Sequence, residues 1–357
     1  MSILVYGSFL SRSADILTDD FLFETVKRLP GINPAARVLF LVSAETGLRH
    51  PLYECGETVV EAPGAGKAGR WWWSIKTLPA FLKQEQVNLA ISYPENRNNN
   101  RIPLMMVVSE LLPSAKNAAA LTKKLAGAAA VVTTSNWGKT QLASVFQVPE
   151  NKITVIPAAA DTRFQPVEWD EKEAVKEKYA GGNEFFLFPC LPGHLQAVTE
   201  VLKAFSVFKK WQKSNMQLLV TGLGAEEQAA LKLDAYRFRA DVSLLPVLRT
   251  EELAAITAAA YGCVQPGLPD PACMAAIRSL QCEIPVIASS TGAFPEICGA
   301  AALYAEPGDF NDMGQKMILL YKDETLRRQL IATAKTQKLL YNWDASAALF
   351  SSLLHHP

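Results

Sequence analysis

The chain has 357 residues, 49% of them hydrophobic, and its 35 Lys and Arg are matched by 35 Asp and Glu. That length exceeds one ordinary core and fits two α/β domains of roughly 150–200 residues each. A formal charge of zero argues against a general nucleic-acid binder.

No stretch is long enough to span a membrane. Met1 to Gly7 reads as a buried strand and not as a leader, with no basic flank before it and no small-residue cleavage site after it, so a cytoplasmic location is expected. Cys55, Cys190, Cys263, Cys273, Cys282 and Cys298 stand without CxxC spacing, mostly in apolar runs. Neither a disulfide nor a structural zinc is expected from them.

Short continuous apolar runs alternate with helical patterns, which predicts strands buried on both faces of a parallel sheet. The first series holds ILVYG (3–7), a helical pattern over 14–29, then VLFLVS (38–43), NLAISY (88–93), MMVVSE (105–110), AVVTTS (130–135), a helix over 135–146 with Ser135 as N-cap, and ITVIPA (153–158). The polar passage 161–184 reads as a charged helix or linker ending in Gly181 and Gly182. A second series follows: FFLFPC (185–190), QLLVTG (217–222), VSLLPV (242–247), GCVQPG (262–267), PVIAS (285–289) and ALYAEP (302–307), with helices near 195–213, 250–260 and 308–320. NWDASAALFSSLL, beyond Tyr341, is an amphipathic last helix. The alternation predicts two doubly wound domains, with a ligand in the cleft beyond the carboxyl ends of their strands.

No GxGxxG, Walker A or DxD motif occurs, which removes most support for nicotinamide, P-loop and metal-dependent transferase chemistry. Gly7 and Ser8 close the first strand with a turn that lets backbone N–H groups approach a phosphate. Gly292, before Pro295 and Glu296, places a glycine turn at a helix start, to meet an anion or simply to connect tightly. Trp71, Trp72 and Trp73 follow a Gly-rich loop holding Lys67 and Arg70. Three adjacent indoles cannot all face one core. An exposed one would stack on a sugar or touch a membrane surface; in the other reading two rings are core and the third caps a helix start.

Five segments, TTSNWGKTQL (133–142), KITVIPAAADTRF (152–164), FFLFPCLPGHLQAVTEVLKAF (185–205), TEELAAITAAA (250–260) and CEIPVIASSTGAFPEI (282–297), resemble in order and spacing those of glycosyltransferase family 4. The resemblance implies an α/β GT-B fold of two Rossmann-like domains facing a cleft. An acceptor-side domain would span 1–163, with helix 342–357 packing back on it, and a donor-side domain 164–341. It also implies sugar transfer from a nucleoside diphosphate to a hydroxyl of a glycan or lipid-linked acceptor, in polysaccharide or cell-envelope synthesis. No cofactor and no metal are required.

Several key positions depart from the family pattern. The basic pair at the leaving diphosphate falls on Leu195 and Gln196, with His194 beside them as a substitute cation. Two glutamates eight positions apart become Asp270, toward the donor sugar, and Arg278, a relocated donor-binding anion contact that substitutes for the missing basic pair. The histidine at the end of the 105–110 strand is replaced by Ser109 followed by Glu110, which would orient an acceptor hydroxyl. Bland readings stand beside these: a surface histidine in a turn, a helix N-terminal aspartate answering the macrodipole, an exposed helix arginine, a solvated strand-end glutamate. Taken together, the departures leave open a pseudo-enzyme on the same scaffold, acting as a binding or scaffold protein.

Overall fold

The computed structural model describes residues 2–7, 20–43, 56–61, 69, 72–94, 102–109, 118–191, 193–267, 270 and 272–354. The chain divides into two compact units, one of Met1–Ala158, Asp270–Ala272 and Asn342–Pro357, the other of Ala159–Pro269 and Cys273–Tyr341.

The first unit is built on seven strands, β1 (Ser2–Tyr6), β2 (Arg37–Ser43), β3 (Glu57–Glu61), β4 (Val87–Ser92), β5 (Leu104–Val108), β6 (Ala130–Thr133) and β7 (Ile153–Val155), in the order β3-β2-β1-β4-β5-β6-β7. The second has six, β8 (Phe185–Pro189), β9 (Gln217–Thr221), β10 (Val242–Leu244), β11 (Gly262–Gln265), β12 (Val286–Ser289) and β13 (Ala302–Ala305), in the order β10-β9-β8-β11-β12-β13. All pairings are parallel.

Helices fill the crossovers. In the first unit they are α1 (Phe21–Val26), α2 (Leu29–Ile32), a π-helical turn Trp73–Thr77 that runs into α3 (Leu78–Gln84), α4 (Ala118–Ala126) and α5 (Asn136–Ser144). The second holds α6 (Trp169–Ala180), α7 (Leu195–Trp211), α8 (Ala225–Ala230), α9 (Thr250–Ala259), α10 (Met274–Gln281), α11 (Phe294–Cys298), α12 (Phe310–Lys322) and α13 (Glu324–Gln337); α14 (Trp343–Leu353) returns to the first unit.

Period-two alternation explains the burial. Leu4, Leu39, Ala90, Met106 and Val131 face one side of the first sheet and pack with Leu82, Leu125 and Leu142 of its helices. Ile3, Val5, Ile91 and Val107, on the other side, are equally buried. Ser135 caps α5 by accepting the Gly138 N–H at 3.1 Å. The helical pattern predicted over 14–29 is described only from residue 20 on. There Asp20 caps Phe23 at 3.0 Å, and Pro30 in the first turn of α2 separates two short helices. The passage 161–184 contains α6, ended by left-handed Gly181 at φ +56°. The five described cysteines are buried and none is in a disulfide among the described residues.

The last helix lies on α1. Phe350, fully buried, meets Phe21 edge to face with centroids 5.9 Å apart, and Trp343 meets the same ring at 6.0 Å. Arg28 Nε pairs with Asp344 at 2.6 Å and Ser346 Oγ donates to the Pro157 carbonyl at 2.6 Å. Phe350→Ala is expected to destabilise the first unit by about 3–5 kcal/mol, read from urea unfolding. An unchanged midpoint would show that α14 stands outside the cooperative core.

Candidate functional site

In the second sheet the chain runs from β8 outward through β9 and β10, then returns to place β11 on the other side of β8. The loops after β8 and β11 therefore diverge around a crevice, the place where open α/β sheets bind ligands.

The loop after β8 is held by its neighbours. The Cys190 N–H donates to the Thr221 carbonyl at 2.9 Å. Gly222, at φ +92°, leaves no room for a side chain, since a Cβ there would lie 2.2 Å from the Cys190 carbonyl oxygen. Glu227, on α8, accepts from the Gly193 N–H at 2.7 Å and the Gly224 N–H at 2.8 Å. These two amides hold its carboxyl below the usual range. Burial, reinforced by the charge of Glu227, pushes the Cys190 thiol up to about 12, so it remains protonated.

His194 follows at the boundary of α7 and makes no side-chain cap bond. In the first turn Leu195 packs against the core of the second unit, while the Gln196 amide donates to Glu200 at 3.2 Å. The two positions that the resemblance assigns to diphosphate cations thus carry an apolar contact and an uncharged amide bonded to a carboxylate.

After β11, Asp270 accepts the Ala272 N–H at 2.9 Å. Helix α10 starts only at Met274, beyond Cys273 at φ +45°. Asp270 therefore ties the approach to the helix, not its first turn as the macrodipole reading expects. Arg278 lies in the last turn of α10 with its guanidinium 5.1 Å from the centroid of the Phe164 ring. Carrying donors only, it cannot accept from ribose hydroxyls as a glutamate would. Gly292, at φ +79°, forms the turn between β12 and α11, next to a Ser289–Thr291 hydroxyl pair at 3.1 Å. Within the second unit, His194 and Gly292 thus sit beyond the carboxyl ends of β8 and β12, the two strands that flank β11. Arg278 lies about one helical turn into α10.

The first sheet repeats the reversal between β1 and β4. Its registers pair Val5 with Ile91, Ser92 with Met106 and Val108 with Thr133. Continued by one or two residues, they place Gly7, Tyr93, Ser109 and Thr134 on one face along the carboxyl edge.

Tyr93 is buried there. Its hydroxyl donates to Asp20 at 2.8 Å and accepts from the Leu22 N–H at 3.1 Å, and Ser109 is a further side-chain partner of the same oxygen. Burial first, then the charge of Asp20, raises the phenol well above its ordinary value and keeps it neutral. A hydroxyl has one proton and two lone pairs. With the proton committed to Asp20 and one lone pair to Leu22, Ser109 can only donate to that oxygen. The Ser92 and Thr134 hydroxyls are buried without a hydrogen-bond partner among the described residues.

Ser8 and Glu110 lie outside the described residues. No group of three or more metal-ligating side chains occurs among the described residues. Asp20, Tyr93 and Glu227 carry no motif signal, because each acts through a partner reached only in the folded chain.

Because the folded pKa of Glu227 is depressed, its bonds stabilise the fold above the unfolded value, about 4.3, and that contribution is lost as pH falls through the folded value. Glu227→Gln should lower the melting temperature near neutral pH, with the gap to the parent closing in acid. A gap that is independent of pH would show that the carboxylate charge is irrelevant to the loop.

Comparison with known proteins agrees with this architecture. Residues 170–337 match the model of the family described as glycosyl transferases group 1. A curated relative, the O-antigen chain mannosyltransferase B of Escherichia coli, is 21% identical over 227 residues; the alignment covers 63% of this chain and only 60% of the relative. Among solved structures, Anabaena HepE in complex with UDP-glucose is similar over 100% of both chains, with a TM-score of 0.76 and 13% identity. Sucrose-phosphate synthase from Thermosynechococcus elongatus is similar over 99% of this chain and 98% of its own, with a TM-score of 0.76 and 17% identity. The chain therefore has the GT-B fold, and its residues 170–337 match the family model of the group 1 glycosyl transferases.

Proposed function

We propose that this protein is a retaining glycosyltransferase of the family 4 type. It would move a sugar from a nucleoside diphosphate to a hydroxyl of a glycan or lipid-linked acceptor, in polysaccharide or cell-envelope synthesis on the cytoplasmic side. The observation that carries this reading is the crevice at the β8–β11 reversal, inside the segment matched by the group 1 family. The relatives point the same way, one named a mannosyltransferase and another structure holding UDP-glucose.

In this reading residues 164–341 bind the donor and residues 1–163 the acceptor. Asp270 meets the donor sugar, while His194 and the amides near Gly193 and Gly292 face the diphosphate. The turn of Gly7 and Ser8 brings backbone N–H groups toward the donor phosphate, Arg278 offers a relocated anion contact, and Ser109 and Glu110 orient the attacking hydroxyl. Negative charge grows on the leaving diphosphate, so cations there would supply the largest stabilisation. Leu195 and Gln196 supply none, and Glu227 already holds the Gly193 amide.

These same features favour a second reading, a pseudo-enzyme that keeps the scaffold as a binding or scaffold protein. A calorimetric panel of UDP, GDP and their sugars, joined to an assay of nucleoside diphosphate release, separates the two. Acceptor-dependent release establishes the transferase, whereas its absence with every donor and a cell-envelope glycan extract leaves the binding protein.

Free UDP and GDP should bind with dissociation constants near a millimolar, about 4 kcal/mol. Micromolar binding would show that other groups hold the phosphates. Combining Leu195→Arg, Gln196→Lys and Arg278→Glu should raise nucleotide affinity by about 2–4 kcal/mol, the scale of charge-assisted bonds. A folded triple variant without any gain would show that the donor site lies elsewhere.

A further inference from the structure

The segment that opens with the tryptophan triplet resolves into a single helical stripe. Across the π-helical turn and α3, the exposed residues include Trp72, Ile75, Lys76, Pro79, Ala80 and Lys83. Their spacing of three and four places them on one outward face about 16 Å long. The inward face is formed by buried Leu78 and Leu82, with Trp73 and Phe81 packed on the same core.

Trp72 is 58% exposed and Ile75 43%, both unusually open for their types. Lys76 and Lys83 form no ion pair among the described residues, while Glu85, at the helix end, is engaged by Arg37 at 2.6 Å. Between Glu61 and Glu85 the sequence carries four cations, Lys67, Arg70, Lys76 and Lys83, and no acid. Apolar side chains interleaved with unneutralised lysines fit a surface that is anionic outside and apolar just beneath.

We propose that this stripe docks the protein on an anionic lipid bilayer, lying in the plane of the headgroups with Trp72 and Ile75 inserted and Lys76 and Lys83 on lipid phosphates. The inference deepens the lipid-linked acceptor reading, since docking brings the first sheet to the surface from which such an acceptor projects. An acidic protein partner fits less well, because the exposed apolar Trp72 and Ile75 beside the lysines offer no charge to a carboxylate.

The test is cosedimentation of the full chain with vesicles of phosphatidylcholine alone or with about one third phosphatidylglycerol. Binding is expected only to the anionic vesicles and should weaken as salt rises. Lys76→Glu with Lys83→Glu should reduce it by at least twenty-five-fold, on the scale of about fivefold for each cation near the surface. Trp72→Ser with Ile75→Ser should reduce it even at low salt. All four side chains face solvent, and unchanged melting temperatures verify the folds.

Absence of binding by the parent, or binding that ignores both pairs of substitutions, would overturn the proposal. So would a parent dimer dispersed by Trp72→Ser with Ile75→Ser, which would assign the face to a second copy. Vesicle binding that persists while transfer to lipid-linked glycans is absent would leave the docking surface standing and sink the acceptor reading instead.

Discussion

Everything chemical in this protein depends on how a doubly wound sheet leaves its carboxyl edge open. Helices cover both faces, so strands such as β5, with all five residues buried, have no polar surface to offer. Only where the strand order reverses, beside β1 and beside β8, do consecutive loops turn away from each other. Those loops must still be rigid. In the second unit rigidity comes from backbone contact closer than any side chain permits, Gly222 against Cys190, and from one carboxylate bonded to two amides, Glu227 between Gly193 and Gly224.

The same carboxylate sets the electrostatic character of the crevice beside β8. An anion on the Gly193 amide does part of what an incoming phosphate would do, and no fixed cation stands in the first turn of α7. The edge of the first sheet differs. There the charge of Asp20 is spent on Tyr93 and on the Phe23 amide, and the hydroxyls of Tyr93, Ser92 and Thr134 are buried.

The strands were legible because buried parallel strands are continuous apolar runs; most ends predicted from sequence agree with the observed ones to within a few residues, as FFLFPC does with β8. The missed strand, β3, has only Thr58, Val59 and Val60 between two glutamates at the sheet edge, too short a run to register. The glycine turn at Gly292 was legible because a glycine before a helix start leaves a local pattern. The stacking of Arg278 on Phe164 was not, since it depends on a residue more than a hundred positions earlier. Tyr93 and Asp20 lie 73 residues apart, and no local pattern marks a pair joined only by folding. Of the tryptophan triplet, Trp73 packs on the core and Trp72 lies open, a division that helical phase alone decides; Trp71 lies outside the described residues.

The central claim, that sugar transfer proceeds on this altered scaffold, is tested most directly by proton NMR of the reaction itself. The protein would be incubated with nucleoside-diphosphate sugars and a cell-envelope glycan extract while the anomeric region is followed. The account predicts slow, acceptor-dependent appearance of a new glycosidic anomeric signal with the configuration of the donor. A product of inverted configuration would contradict the retaining mechanism, and a spectrum unchanged for every donor would contradict transfer altogether.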